Sequence, residues 1–494
     1  MSFSADHLLA IRSGLADLPE LAHHSAGTPV RPEEIFFPVK HASALDPDAT
    51  LVVGNRGVGK SFWASALAGD DARRAIADAY RGFRHQPRLD NLTVVFGFSG
   101  AEGGGGALVS EALIGSIDTD IPSVYVWRAV VVRCLAAVVN HQIPAKFADL
   151  VRWIRDNPDE QQSLFRSADS ALGSKNESVL MLFDQLEQMA NDWRRINDLT
   201  KGLLQTALAM RSYKNIRIKI FMRPDQFENR ELFQFPDASK IKGDATRLRW
   251  HATDLYGLLF FELARNQSSK DALQFIYSQF GIDSGFMHPA GVPFVLASSE
   301  EKQRQVFEII AGDSMGKSKT RGAPYTWIPV HLSDSRGEVS PRTFLKLLKS
   351  AADQKSAPES SAIDFNDLKD GVREASSHRL SELQEDYPWV SEALEPLRGT
   401  LVPAQIEEIS AIWRSGEVVT NILSRYQGTS APIDLEVASL LSGEEEVSSL
   451  IKLLQEIGVM DVRKNGKIDV PDIFRVRAGI LRKGGVTPQQ RRRL

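Results

Sequence analysis

Residues 54–61 combine residue types and spacing that point directly to chemistry. They read Gly-Asn-Arg-Gly-Val-Gly-Lys-Ser, after an apolar run at 51–53 and before a helix-forming run, so GxxxxGK[ST] stands in a strand–loop–helix context. The glycines let the backbone approach a triphosphate, and the loop amides face the anion. Lys60 is expected to reach the β- and γ-phosphates and Ser61 to bind Mg²⁺. The residues predicted to contact the nucleotide are Gly54, Asn55, Arg56, Gly57, Val58, Gly59, Lys60, Ser61 and Phe62.

A second apolar run, 179–183, ends at the carboxylate that a Mg-nucleotide site requires. Asp184 is therefore the predicted Mg²⁺ partner, directly or through water. The next residue, Gln185, cannot act as a carboxylate base. Glu187 becomes the candidate base if the chain turns into a helix there, and a surface helix residue is the alternative interpretation. Because glutamine can only orient water, slow hydrolysis is expected.

Two arginines are candidates for reading the γ-phosphate. Arg223 follows the apolar run 216–222, and a strand lying between the loop strand and the Asp184 strand would bring it close to that phosphate. Pairing with a surface acid is the alternative for Arg223. Arg342 stands in Ser-Pro-Arg-Thr-Phe-Leu at 340–345. An arginine at the start of a lid helix can reach over a nucleotide and couple lid position to its phosphate state.

The elements that would position these residues alternate between short apolar strands and helices, which predicts an α/β fold with a parallel sheet covered on both faces. Strands are predicted at 51–53, 92–98, 178–183 and 216–222, with helical runs at 122–140 and 199–212. The predicted divisions of the chain are an N-terminal helical segment at 1–50, a P-loop core at 51–235, a helical lid at 236–350, a linker at 351–362, a helical region at 363–425, a winged-helix-like domain at 426–486 and a basic tail at 487–494.

The C-terminal region combines a helix around 444–457 with two short runs that flank Asn465-Gly466, which predicts a β-hairpin and hence the second half of a winged helix. Glutamates on the helix oppose phosphate binding. Cations on the hairpin and beyond it favour nucleic acid, so DNA and protein both remain candidate partners, and a solvated terminus remains the alternative for the tail. These cations are Arg463, Lys464, Lys467, Arg475, Arg477, Arg482, Lys483, Arg491, Arg492 and Arg493.

Composition narrows the class of protein. The 494 residues carry a net charge of −4, so no global field attracts nucleic acid. A single cysteine, Cys134, excludes an internal disulfide framework and fits a reducing cytoplasm. Neither a signal peptide nor an apolar run long enough to span a membrane is evident, so a cytoplasmic protein without a membrane partner is expected.

Taken together, GNRGVGKS, VLMLFDQLE, FMRPD and SPRTFL resemble the AAA+ and STAND group of P-loop ATPases over about residues 40–350. The resemblance implies ATP and Mg²⁺ as ligands. It also implies that Arg223 is the sensor-1 or STAND-type arginine and that Arg342 is the sensor-2 arginine. Gln185 departs from the AAA+ pattern, which has a glutamate there, whereas an acid further along, at Glu187, fits the STAND branch.

The segment VPDIFRVRAGILRKGGV also resembles bacterial P-loop ATPases of anti-phage and other conflict loci. This resemblance implies a homo-oligomeric ATPase switch that controls a separate effector protein. Two alternatives stay open at this point. One is a DNA-binding ATPase regulator or loader that uses the winged helix, and the other is a scaffold that binds nucleotide without turnover.

Overall fold

The computed structural model describes residues 4–20, 28–100, 106–282, 293–316, 321–353, 360–426, 432–440 and 443–488. The chain divides into two compact units, one formed by Met1–Ala22 together with Arg249–Leu494 and the other by His23–Leu248. Most of the glycine run at 103–106, expected to be a loop, and most of the predicted basic tail lie outside the described residues.

The unit His23–Leu248 holds a sheet and the helices that cover it. Its elements are α2 (Ala42–Leu45), β1 (Leu51–Val53), α3 (Lys60–Ala68), α4 (Asp70–Ala79), β2 (Leu92–Phe98), α5 (Glu111–Gly115), α6 (Ser123–Leu135), α7 (Phe147–Asp156), α8 (Pro158–Ser174), β3 (Ser178–Phe183), α9 (Trp193–Met210), β4 (Ile216–Met222), α10 (Pro224–Glu228), α11 (Ala238–Gly243) and β5 (Thr246–Arg247).

All five strands pair in parallel, in the order β2-β3-β4-β1-β5. β1, β2, β3 and β4 have the bounds that the sequence predicted, because each is a short apolar, β-branched run that can be buried on both faces. The predicted position of β4, between β1 and β3, is confirmed. β5 was not predicted, since two polar residues carry no strand pattern.

One large apolar core lies against the helices α6 to α9. Trp127, Phe98 and Phe183 meet edge to face in it, with ring centroids 6.5 and 5.5 Å from that of Trp127. Because all five strands are parallel, their carboxyl ends lie at one edge of the sheet. Parallel sheets of this kind bind ligands at that edge.

The other unit is mainly helical. Its elements are α1 (Ala5–Ala16), α12 (Ala252–Arg265), α13 (Lys270–Gln279), α14 (Phe294–Ser298), α15 (Glu300–Ala311), α16 (Pro324–Leu332), α17 (Pro341–Ala352), α18 (Phe365–Asp386), α19 (Val390–Leu394), β6 (Leu401–Val402), α20 (Ile406–Ser415), α21 (Val418–Tyr426), α22 (Ile433–Ala438), α23 (Gly443–Glu456), β7 (Asp461–Val462), β8 (Ile468–Asp469), α24 (Asp472–Ala478) and β9 (Leu481–Arg482).

The N-terminal helix α1 belongs to this helical unit. Arg12 donates to Ala362 O at 2.6 Å and to Asp367 Oδ2 at 3.2 Å, and both of these side chains are buried. Contacts between residues 350 positions apart leave no trace in local sequence patterns. The rest of the predicted N-terminal segment, residues 28–50, lies in the sheet unit. The domain boundaries drawn from the sequence stay predictions.

The predicted hairpin is present. β7 and β8 pair antiparallel around Asn465-Gly466, and Gly466 has φ 77°, a left-handed conformation that glycine adopts without strain. Ala404 also bridges Ile468 antiparallel.

Across the described residues, no helix is both long and apolar enough to cross a membrane.

Candidate functional site at the carboxyl edge of the sheet

The loop after β1 has the backbone that its glycines predict. Gly57 and Gly59 have φ of 80° and 102°, which side chains disfavour. A Cβ on Gly54 would lie 2.6 Å from Val58 Cγ1, so the loop closes tightly there. Gly59 is the N-cap of α3, and no side chain caps that end. The loop therefore presents a helix N-terminus to an anion.

Lys60 opens α3 and turns back over the loop. Its Nζ donates to Gly54 O at 2.8 Å and to Asn55 O at 3.2 Å. The ammonium is thus already placed above the loop backbone, where a bound phosphate oxygen can replace a carbonyl as its acceptor.

Asp184 follows β3 directly and is completely buried. Both carboxylate oxygens lack a hydrogen-bond partner with full geometry among the described residues. Burial raises the pKa of Asp184 to about 6, while the nearby Ser61 hydroxyl and the Lys60 ammonium act to lower it. A buried carboxylate without partners is costly. Its position beside the loop leaves the carboxylate available to a cation.

The donors at this place fit Mg²⁺. Ser61 supplies a hydroxyl and Asp184 a carboxylate, which are hard oxygen ligands of the kind that Mg²⁺ takes together with substrate phosphates. No group of three or more His, Cys, Asp or Glu side chains is placed to hold a metal ion in the part of the chain that the structure describes. A site that relies on phosphate oxygens does not need such a group.

Gln185 and Glu187 occupy the turn after Asp184. Gln185 has φ 57° and starts the 3₁₀ turn Leu186–Gln188, so the predicted turn into a helix is present. A Cβ on Gly100, just beyond β2, would collide with Gln185 Oε1, so this amide lies toward β2 and away from β4 and β1. Glu187 is near enough for its charge to raise the pKa of Asp184.

Arg223 stands one residue beyond β4, at the same edge of the sheet as the loop. It is 4% exposed, and its Nε and Nη2 donate to the two Asp225 carboxylate oxygens at 3.3 and 3.1 Å. The guanidinium carbon lies 5.4 Å from the ring centroid of Trp193. The acidic partner named as the alternative is therefore present, two residues further along the chain. Its two hydrogen bonds fix the orientation of the guanidinium.

Arg342 lies in the first turn of α17, which Ser340 caps by accepting from Thr343 N at 3.1 Å. The Arg342 guanidinium donates to Glu382 of α18. Glu382 is 3% exposed and also accepts from Arg379 Nη1 at 3.3 Å. Burial acts to raise the pKa of Glu382, but Arg379 and Arg342 outweigh it and hold that pKa below its ordinary value. The predicted contact of Arg342 with nucleotide stays a prediction.

Glu382→Gln is expected to destabilise the helical unit by about 3 kcal/mol at neutral pH, because two arginines lose a buried carboxylate. Stability from a carboxyl whose folded pKa is lowered is present above its ordinary pKa and disappears as pH falls through the folded pKa. The difference from wild type should therefore shrink below about pH 4 in denaturant unfolding curves. Glu374→Gln, at an exposed position of the same helix, is the control and should match wild type throughout. If the unfolding free energies of wild type and Glu382→Gln differed equally at neutral pH and below about pH 4, the ionised Glu382 carboxylate would not be the source of this stability.

Lys219 is a buried cation of the sheet, toward the amino end of β1, that the sequence interpretation missed. It lies in the middle of β4, is completely buried, and its Nζ donates to Ala44 O, Asp46 O and Ala49 O at 2.9, 2.8 and 2.7 Å. Burial lowers its pKa to about 7, and the nearby aspartates oppose that shift. Lys219 ties the segment that enters β1 to β4. A lysine in the middle of a mostly apolar strand was the available signal.

Three of the cations of the C-terminal hairpin and the segment after it have internal carboxylate partners. Arg475 is completely buried and its Nε donates to Asp472 Oδ1 at 2.7 Å. Arg463 Nε donates to Asp469 Oδ2 at 2.9 Å, and Arg482 also pairs with Asp469. Arg491, Arg492 and Arg493 lie outside the described residues. The charge that this region offers to a nucleic acid is therefore smaller than its composition indicates.

The loop between β1 and α3 and the five-stranded parallel sheet define an α/β fold of the P-loop NTPase type, as the sequence predicted. No protein-family model matches the chain, and no curated protein does. Among solved structures the chain is similar to the ORC2 protein of Aeropyrum pernix in ADPNP-ADP complexes, with 12% identity over 92% of this chain and 93% of that one and a TM-score of 0.37.

Proposed function

We propose that this chain is an ATP-binding and slowly hydrolysing switch of the AAA+ type. The observation that carries the proposal is the buried carboxylate of Asp184, whose oxygens have no hydrogen bond of full geometry, beside Lys60 and Ser61. Lys60 and the loop amides would bind the triphosphate, and Ser61 and Asp184 would hold Mg²⁺, which neutralises charge on the phosphates when bound. The resemblance to AAA+ proteins is supported by β4, which lies between β1 and β3 and carries Arg223 to the same edge.

Arg223 is proposed to read the γ-phosphate. Its guanidinium is buried, planar and held by Asp225 on one side, so it is preorganised for a developing negative charge. Contact with the γ-phosphate would compete with Asp225 or share the guanidinium with it. In either case ATP and ADP would set different positions for the segment that begins at Pro224. The nucleotide state is proposed to control the formation of a homo-oligomer and the activity of a separate effector protein. The STAND and anti-phage parts of the resemblance rest on the sequence alone.

Glu187 is proposed as the base, because it lies one turn beyond Asp184 and acts electrostatically on it. Gln185 supports slow turnover, because it is not a carboxylate base and its amide lies against Gly100, on the side away from β4 and β1. Glu187→Gln should retain ATP binding within about threefold and release phosphate at least tenfold more slowly. Glu177→Gln, an exposed acid just before β3, is the matched control.

The function is tested by two measurements on the full chain, phosphate release with Mg-ATP and molar mass with ATP, with ADP and without nucleotide. A switch requires turnover and a mass or shape that differs between ATP and ADP. Binding without turnover in the wild type would identify a nucleotide-binding scaffold instead. An unchanged rate in Glu187→Gln would remove Glu187 from the role of base and leave the rest of the proposal standing.

A further inference from the structure

A second cavity of about 930 Å³ lies within the sheet unit, between helices α6, α8, α9 and α11. None of its lining residues belongs to the loop, to Asp184 or to Arg223. Tyr213 lines it three residues before β4 begins, and Asp244 lines it two residues before β5 begins. Both positions lie at the amino ends of parallel strands. This part of its wall is thus at the edge opposite the loop, about 20 Å away along a strand such as β4.

The cavity wall contains polar groups whose hydrogen bonding is incomplete. Gln161 is only 2% exposed, yet its Nε2 has no acceptor among the described residues. Its Oε1 accepts from Arg128 Nη1 at 3.3 Å. Arg128 Nε is also buried without an acceptor, and Arg128 makes no ion pair within the described chain. Two adjacent buried donors left unsatisfied cost stability, and such a cost is characteristic of a binding site.

Two pairs of opposite charges around this cavity are already formed within the protein. Arg211 Nη2 lies 2.7 Å from Asp244 Oδ2, and Lys240 Nζ lies 2.9 Å from Asp237 Oδ2. Opposite these pairs, Phe165 and Tyr213 form an aromatic wall with ring centroids 5.9 Å apart. The wall therefore offers one uncompensated guanidinium, one amide donor and an apolar face. Asp159, a lining carboxylate for which the described residues provide no ion pair, would oppose a doubly charged anion more than a singly charged one.

We propose that this cavity binds a singly charged carboxylate carried on an apolar or aromatic body. The two carboxylate oxygens would accept from Arg128 Nε and Gln161 Nε2, and the body would pack on Phe165 and Tyr213. The ligand is either a small organic acid or a carboxylate presented by a peptide, because the recognising chemistry is shared. This site is independent of the proposed nucleotide site.

The test uses thermal unfolding of the full chain with phenylacetate, its neutral isostere phenylacetamide, inorganic phosphate at equal ionic strength, and the blocked peptide acetyl-Ala-Ala-Glu-Phe-amide. Phenylacetate or the peptide at about 20 mM should raise the midpoint by roughly 2 °C or more. Phenylacetamide and phosphate should not. Arg128→Met and Gln161→Glu should both abolish the shift. The first removes the cation, and the second supplies an internal carboxylate that pairs with Arg128 in place of the ligand.

Arg166→Met is the matched control, because Arg166 acts on Tyr213 but lies outside the wall, and it should keep the shift. Gln161→Glu keeps the test decisive if Arg128→Met fails to fold. Stronger binding of phenylacetate identifies a small acid as the source, and stronger binding of the peptide identifies a peptide. The proposal is overturned if no carboxylate shifts wild type, if phenylacetamide or phosphate shifts it equally, or if the shift survives Gln161→Glu.

Discussion

Replacement of Lys60 by alanine is expected to lower ATP hydrolysis by at least about 10³-fold and to weaken nucleotide binding by at least tenfold. The ammonium lies over the loop, donating to the carbonyls of Gly54 and Asn55, where it is preorganised for the β- and γ-phosphates. Alanine removes that point charge while leaving the helix N-terminus intact. Phosphate release and titration with a fluorescent ATP analogue measure the two effects separately.

The control for this experiment is Lys175→Ala, which removes an exposed lysine from the C-cap of α8 in the same unit. It should hydrolyse and bind ATP as wild type does. Because Lys60 also contacts the loop carbonyls, circular dichroism and the unfolding midpoint of both variants must be compared. A folded Lys60→Ala protein with wild-type affinity and turnover would refute the nucleotide site, and with it the proposed function.

The strands that build this site could be predicted from the sequence because buried parallel strands are short, apolar and continuous. The runs at β1 to β4 are mainly of this kind, with few polar positions such as Lys219, and even their ends were predicted. The loop was predictable because its chemistry is local: glycines, lysine and serine stand in one continuous segment. Asp184 and Arg223 followed from the same logic, since the carboxyl ends of parallel strands share one edge.

Other features depend on pairs of residues that are distant in the chain. The partner of Arg342 is Glu382 on another helix, and Arg12 of α1 contacts residues beyond 360. Nothing in the local pattern of either arginine distinguishes a buried ion pair from a surface charge. The C-terminal arginines show the same effect, because Asp469 and Asp472 absorb charge that composition alone assigns to a partner. Burial, which decides the availability of a charge, is set by the tertiary fold.

Asp184→Asn is expected to separate stability from activity. Burial raises the pKa of Asp184 to about 6, so the folded protein disfavours the ionised form above that pH. The asparagine carries no charge, and the unfolding free energy of the nucleotide-free protein should therefore rise by about 2–3 kcal/mol near pH 8. An acid whose folded pKa is raised destabilises the protein fully above that pKa and not at all below its ordinary pKa, so the gain should shrink below about pH 6 and vanish below about pH 4.

Hydrolysis should change in the opposite direction, falling at least about 10²-fold, because a neutral amide is a poor replacement for the carboxylate that completes a Mg²⁺ site. Asp120→Asn, at an exposed position of the same unit, should change neither quantity. Loss of stability in Asp184→Asn would assign the carboxylate to a structural hydrogen-bond network. A gain in stability with full activity would mean that Asp184 does not serve the nucleotide. Only the combination of a more stable protein and a slower enzyme fits a buried carboxylate that is retained for the metal it holds, since its cost to the fold is otherwise unexplained.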